Sequence, residues 1–308
     1  MRCLFVLPAS RCRLTYSSER CHPEIEQSDT GIVLQSHEHF MPRALELADR
    51  GAGCTSPNPL VGCVVVRGGV VIGEGWHQRA GLAHAEINAL VDAGVVESNT
   101  HDRNADVTNR GEDTTLYVTL EPCNHHGRTP PCTQAILDAG ITRVVFALAD
   151  PNPAAAGGAR YLETHGIEVI GGVLENLARY QNRFFLHHLA TSQPWIIAKS
   201  ASSLDGRVAT RTGKSQWITG PQARARGHEL RQLVDAIIVG TGTAIADNPS
   251  LTVRLPDSIR PAEQIRHPLR IVLDSSGRVP VNARVFNGSL PGRTLVATTR
   301  RMSCLLYT

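Results

Sequence analysis

The sequence predicts two α/β domains in tandem, and three observations predict it. The length of 308 residues suits about two domains. Short apolar, β-branched runs alternate with helical patterns along the chain, which is the signature of α/β architecture. Near the middle, Thr191-Ser192-Gln193-Pro194 interrupts that alternation and reads as a linker. The expected division is an extension over 1–36, a first domain over 37–190 and a second over 194–308.

Taken in order, residues 1–36 hold one short apolar run, Leu4–Leu7, closed by Pro8 and followed by Arg11 and Arg13. That run is too short for a secretory signal. An Arg/Ser-rich stretch to Arg20 resembles a transit peptide, but Glu19, Glu24 and Glu26 argue against it. A disordered tail or an upstream start codon is the expected reading. His39–Arg50 has helical spacing, stopped by Gly51 and Gly53. Cys63–Val66 and Val70–Gly73 read as a hairpin, with Cys63 a small buried apolar residue. His84–Ala93 reads as a helix. The polar stretch 97–114 reads as a long surface loop. Thr115–Leu120 is a strand, Cys132–Ala139 a helix and Val144–Ala147 a strand. A helix ending at Gly166, a short strand over 168–171 and a helix over 175–189 complete the first domain.

In the second half, Trp195–Lys199 is a strand, Pro221–Leu233 a helix and Ala236–Val239 a buried strand. That strand ends in Gly240-Thr241-Gly242-Thr243. Glycine permits close backbone approach to a phosphate. The string is not the dinucleotide fingerprint, because Ile245 holds the place of its third glycine.

Composition excludes several classes. Thirty-one basic and 28 acidic residues give a net charge of +3, without the clustered basic face of a nucleic-acid binder. Eight cysteines in this length are too few for a disulfide scaffold and suit a reducing cytoplasm. No apolar run approaches a membrane span.

The chemistry concentrates between His84 and Cys132. His84-Ala85-Glu86 opens this stretch, and Glu121-Pro122-Cys123 followed eight residues later by Cys132 closes it. One imidazole and two thiolates form a three-ligand set, which leaves a catalytic Zn²⁺ one open position. Glu86 stands two residues past the imidazole, where a proton carrier is needed. His-x-Glu followed by Pro-Cys is the pattern of zinc nucleobase deaminases, in which the Glu is not a ligand. His84 and Glu86 fall at a helix start, whose dipole favours negative charge. Cys132 opens another helix, which favours its thiolate. Two prolines fix Asn58 in Ser56-Pro57-Asn58-Pro59; a plain turn is the bland alternative. His77 could be a ligand, although a substrate-side or structural role suits it better. His125, His126 and Arg128 can reach a phosphate or a pyrimidine edge, with a second zinc at His125 or His126 as the alternative.

The eight-residue insert between the thiols, with its run His125-His126-Gly127-Arg128-Thr129-Pro130-Pro131, resembles the bifunctional deaminase–reductase family of riboflavin biosynthesis. Asp247-Asn248-Pro249-Ser250-Leu251-Thr252-Val253-Arg254 and Arg270-Ile271-Val272-Leu273-Asp274-Ser275 look like its reductase half. The resemblance covers about residues 37 to 300. It implies a cytidine-deaminase-like α/β/α sandwich followed by a dihydrofolate-reductase-like α/β domain. It implies one Zn²⁺ per chain on His84, Cys123 and Cys132, with Glu86 catalytic. Asn58, His125 and Arg128 would contact a pyrimidine ribosylamine phosphate there. In the second half, Ala201, Trp217, Thr243, Asp247 and Ser275 would contact NADPH. Ser215, Arg231, Leu251 and Arg254 would hold the substrate, the two arginines matching its phosphate. No nucleic acid or membrane partner is implied, and a homo-oligomer is compatible with it. Met302–Thr308 depart from the family, which continues further. The second domain is therefore expected to be truncated, loosely folded and weak in reduction.

Two rivals remain. A single-function zinc deaminase on a base or nucleoside would need neither the insert nor the second domain. A structural zinc module would close its site with four Cys/His ligands.

Overall fold

The computed structural model describes residues 2–7, 37–96, 113–125, 130–153, 155–257 and 259–301. In chain order the elements are β1 (Arg2–Leu7), α1 (His37–Arg50), β2 (Gly62–Arg67), β3 (Val70–Trp76), α2 (Ala85–Asp92), β4 (Thr114–Leu120), α3 (Cys132–Asp138), β5 (Arg143–Leu148), α4 (Gly158–Thr164), β6 (Glu168–Gly171), α5 (Glu175–Gln181), α6 (Arg183–Thr191), β7 (Trp195–Ser200), α7 (Pro221–Leu233), β8 (Ala236–Gly240), α8 (Thr241–Asp247), β9 (Leu269–Leu273) and β10 (Thr294–Ala297). They fall into two compact units, Cys12–Leu186, and Met1–Arg11 with His187–Thr308. Among the described residues, no helix is long and apolar enough to cross a membrane.

The first unit is a five-stranded sheet in the order β3-β2-β4-β5-β6. Its β3-β2-β4 part is antiparallel, and β4, β5 and β6 run parallel. Successive strand residues point to opposite faces, so each strand supplies two cores. Cys63, Val65, Leu116, Val118, Val144 and Phe146 pack with Ala89 and Leu90 of α2 and Ile136 of α3 on one face. Val64, Val66, Tyr117, Val145 and Ala147 pack with Phe40, Met41, Ala44 and Leu47 of α1 on the other. Every residue of β4 is buried, as a strand covered on both faces requires. The result is the expected α/β/α sandwich. Gly62 lets α1 lie against β2, since a Cβ there would stand 2.0 Å from the Ala44 carbonyl oxygen.

The helical pattern over 175–189 resolves into two helices, α5 and α6, broken at Asn182. Asn182 is fully buried and uses its side chain on the backbone of Leu60: Leu60 N–H donates to Oδ1 at 2.8 Å, and Nδ2 donates to Leu60 O at 3.0 Å. The proline-fixed loop before β2 is thereby tied to the far end of the unit. The stretch 97–112, expected as a surface loop, lies outside the described residues.

The second unit holds a sheet in the order β10-β9-β8-β1-β7. Strands β8, β9 and β10 are parallel. Strand β1 is antiparallel to both its neighbours, so β7 runs parallel to β8. Arg2–Leu7 thus form a strand where the sequence suggested an unstructured extension over 1–36. Pairing on both edges satisfies the backbone of this short segment in the sheet. Residues 8–36 lie outside the described residues. The buried core of this unit includes Ile237, Val239, Ala244, Val253, Val272 and Val285. The division between the units falls inside α6, ahead of the Thr191–Pro194 linker.

Candidate metal centre and cofactor edge

Three elements of the first unit deliver the metal-type ligands. His84 is the N-cap of α2, in extended backbone just before the helix. Strand β4 runs into Glu121-Pro122-Cys123, and Cys132 is the first residue of α3. His84 Nδ1 lies 3.6 Å from Cys123 Sγ and 3.3 Å from Cys132 Sγ, and the three ligand atoms all lie within 4.8 Å of one another. Tetrahedral Zn²⁺ with bonds of about 2.0–2.3 Å separates its donors by about 3.5–3.8 Å. The spacing and the one-nitrogen, two-sulfur set therefore fit zinc.

The electrostatics favour a thiolate at Cys123 and not at Cys132, where the helix start had suggested one, because Cys132 donates to Cys123 and is buried. The Cys132 thiol holds the Cys123 sulfur down to about 4, with His84 adding to the effect against burial. Cys132 itself is pushed up by donating to Cys123 and by burial. His84 is raised to about 9, chiefly by its hydrogen bond with Cys123. The thiolate of Cys123 is the form of sulfur that ligates a metal, and His84 gives up its proton to bind one. Glu86, in the first turn of α2, is 3% exposed, and burial pushes its carboxyl up. A buried carboxyl with a raised pKa is suited to accept and return a proton.

Around this centre, Asn58 Nδ2 is 3.1 Å from His77 Nε2, and His77 Nδ1 is 3.1 Å from the Ala83 carbonyl. A carbonyl only accepts, so Nδ1 carries the proton and Nε2 accepts from the Asn58 amide. His77 is buried, and its ring stands edge-on to that of His84 with centroids 5.6 Å apart. It therefore orients Asn58. His125 is exposed. His126 and Arg128 lie outside the described residues.

Sequence reasoning missed Glu121. Its buried carboxylate accepts from the backbone N–H groups of Asp150 at 3.0 Å, Gly157 at 3.1 Å and Ala159 at 3.0 Å. That clamp ties the Asp150–Pro153 turn and the start of α4 to the Pro122-Cys123 segment. A carboxylate directly before Pro-Cys on a buried strand was the available signal.

In the second unit, Ala201 follows β7, Thr243 lies just past β8 in α8, and Ser275 follows β9. These strands are parallel, so the three residues gather at one carboxyl-terminal edge of the sheet, where open α/β sheets bind ligands. Ser215 Oγ donates to Asp247 Oδ1 at 3.4 Å. Trp217 is 70% exposed, with the Arg224 guanidinium 4.6 Å above its ring. Arg231 Nη1 donates to the Thr252 carbonyl at 3.2 Å, and Arg254 Nη1 reaches Thr252 Oγ1 at 3.4 Å. The two arginines thus meet at one segment, beside Leu251, which is buried.

A unit with a zinc-type ligand set and a buried glutamate, followed by a mixed α/β unit whose parallel strands end at one edge, points to a two-function enzyme class. Residues 34–148 match the cytidine and deoxycytidylate deaminase zinc-binding region, and residues 194–304 match the RibD C-terminal domain. The riboflavin biosynthesis protein RibD of Escherichia coli K12 is 44% identical over 273 residues, 86% of this chain and 70% of that protein. RibD of Bacillus amyloliquefaciens is 46% identical over 256 residues, 82% of this chain and 64% of that protein. The crystal structure of a diaminohydroxyphosphoribosylaminopyrimidine deaminase/5-amino-6-(5-phosphoribosylamino)uracil reductase from Thermotoga maritima aligns with a TM-score of 0.72 at 42% identity, covering 85% of this chain and 69% of that one. The chain belongs to the RibD family of riboflavin biosynthesis proteins. It carries both the zinc-binding deaminase region and the reductase-type domain, and spans about two thirds of its relatives' length.

Proposed function

We propose that the first unit deaminates 2,5-diamino-6-ribosylamino-pyrimidinone 5′-phosphate and that the second reduces the ribosyl group of the product to a ribityl chain with NADPH. The observation that carries the first step is the convergence of His84 Nδ1, Cys123 Sγ and Cys132 Sγ within 4.8 Å, with Glu86 buried beside them. Those three side chains hold Zn²⁺. Bound zinc supplies the Lewis acidity that makes water a nucleophile near neutral pH. Glu86 takes a proton from the attacking water. The water oxygen bonds to the amino-bearing ring carbon, Glu86 returns the proton to the amine, and the C–N bond breaks to release ammonia. Asn58, oriented by His77, and His125 with Arg128 position the pyrimidine and its phosphate.

In the second unit, Ala201, Trp217, Thr243, Asp247 and Ser275 bind NADPH, which supplies hydride when bound. Ser215, Leu251, Arg231 and Arg254 hold the sugar phosphate, the guanidinium groups matching its oxygens. The near-balanced charge of +3 supports a small-molecule enzyme without a nucleic-acid partner.

The test is ammonia release from the diaminopyrimidinone by the zinc-loaded chain, repeated with NADPH while its absorbance is followed. Ammonia release followed by slow NADPH consumption is the expected result. Absence of ammonia release from the zinc-loaded chain overturns the deaminase assignment. Ammonia release without any loss of NADPH absorbance removes the reductase step alone.

A further inference from the structure

The phosphate corner of the second unit contains a side chain that the proposed substrate contacts do not include. His228 and Arg231 sit three residues apart on α7, so they share one face of the helix. The Leu251–Arg254 segment returns against that face. Arg254 N–H donates to His228 Nδ1 at 3.1 Å. Arg231 Nη1 lies 3.4 Å from the same Nδ1, and Arg254 Nη2 lies 3.3 Å from His228 Nε2.

These distances decide the tautomer. A backbone N–H only donates, so Nδ1 presents its lone pair to Arg254, and the ring proton belongs on Nε2. Nε2–H and the Arg254 guanidinium are then two donors side by side, which cannot bond to each other. Donors gathered in this way next to a second guanidinium are satisfied together by an acceptor carrying negative charge.

We propose that His228 is a third phosphate ligand of the reductase unit, donating from Nε2–H to the same anion that Arg231 and Arg254 bind. The proposal rests on the reading of that corner as the substrate-phosphate site. Burial and the two arginines hold the His228 pKa down to about 4, so the imidazole is neutral at physiological pH and acts as a hydrogen-bond donor without adding charge. A protonated ring would lose the Nδ1 lone pair that receives Arg254 N–H. The neutral form therefore also seats the Arg254 backbone, placing its guanidinium where the phosphate binds.

The experiment titrates the zinc-loaded full chain with ribose 5-phosphate and with inorganic phosphate by calorimetry. The proteins are wild type, His228→Leu, His228→Gln and Arg254→Ala. His228→Leu removes both imidazole roles and should weaken binding of ribose 5-phosphate about tenfold, the scale of one hydrogen bond to a charged group. His228→Gln keeps one acceptor and one donor and should recover most of that loss. Long-range proton–nitrogen spectra of the wild type should show the Nε2–H tautomer at neutral pH. Unchanged affinity in His228→Leu overturns the proposal. So does a loss that Gln fails to recover, because the effect would then be one of packing. If Arg254→Ala weakens binding and His228→Leu does not, the substrate-phosphate reading stands and the role of His228 alone falls. If neither changes binding, both fall.

Discussion

The backbone N–H of Cys132 donates to the Sγ of Cys123 at 3.4 Å. The first residue of α3 therefore stabilises a thiolate nine positions earlier in the chain and is itself the next sulfur in the site. The two candidate sulfur ligands are thus linked directly by a backbone hydrogen bond. Replacing either His84 by Ala or Cys123 by Ser should reduce zinc from about one per chain to a small fraction after dialysis against a weak chelator. Metal analysis by plasma emission checks it. Full occupancy in both variants would exclude this ligand set.

Glu86 is buried beside the ligands with its carboxyl pushed up by burial. Glu86→Gln keeps the shape and removes the exchangeable proton. We expect zinc content to be unchanged and ammonia release to fall by about 10²–10⁴-fold, the contribution of general acid–base catalysis. A variant that keeps most of its rate would assign the proton transfer to another group.

Gly158 opens α4, where an added Cβ would stand 1.8 Å from the Pro122 carbonyl oxygen, next to the candidate metal ligand Cys123. The obstacle is backbone, which cannot swing aside as a side-chain tip can. Gly158→Ala should cost about 1–3 kcal/mol as an overpacking substitution and should lower zinc retention, because relief has to come from the Glu121–Cys123 segment. Urea unfolding followed in parallel with zinc release measures both. A variant with wild-type midpoint and zinc content would show that α4 can move away freely.

Much of the first unit was legible in the sequence because its signals are local. The continuous apolar run Cys63 to Val66 marks β2 as a strand covered on both faces, and His-x-Glu with Pro-Cys marks the candidate ligands before any geometry is known. The break at Asn182 was not legible. It depends on hydrogen bonds to Leu60, 122 positions away, and helical spacing over 175–189 carries no trace of them. The Glu121 clamp escaped for the same reason, since its partners are backbone groups of a distant loop. In the second unit, β1 occupies the sheet between β7 and β8, pairing Arg2 with Ser200 and Cys3 with Val239, far along the chain. Strand β10 (Thr294–Ala297) was missed: its pairing is with β9, about 24 positions earlier, and no local pattern marks it. The tautomer of His228 depends on a segment 26 residues later and on no motif.

That tautomer has a consequence for stability against pH. In the folded chain His228 titrates at about 4, while an ordinary histidine titrates near 6.5. Burial lowers it first, and the charges of Arg231 and Arg254 lower it further. Between these two values the unfolded chain binds a proton that the folded chain does not. Stability therefore rises with pH across this window, and falls as the solution is acidified from about 6.5 toward 4. Other carboxylates titrate nearby, so the difference between two proteins is the useful quantity. His228→Gln has no such proton to gain. The urea midpoint of the second unit, followed by its tryptophan signal at about pH 7 and about pH 5, should drop further in the wild type than in His228→Gln. Equal drops in the two proteins would mean that His228 protonates freely in the folded state. Its ring would then be no fixed acceptor for Arg254 N–H, and the arrangement of donors at this corner would have to be drawn differently.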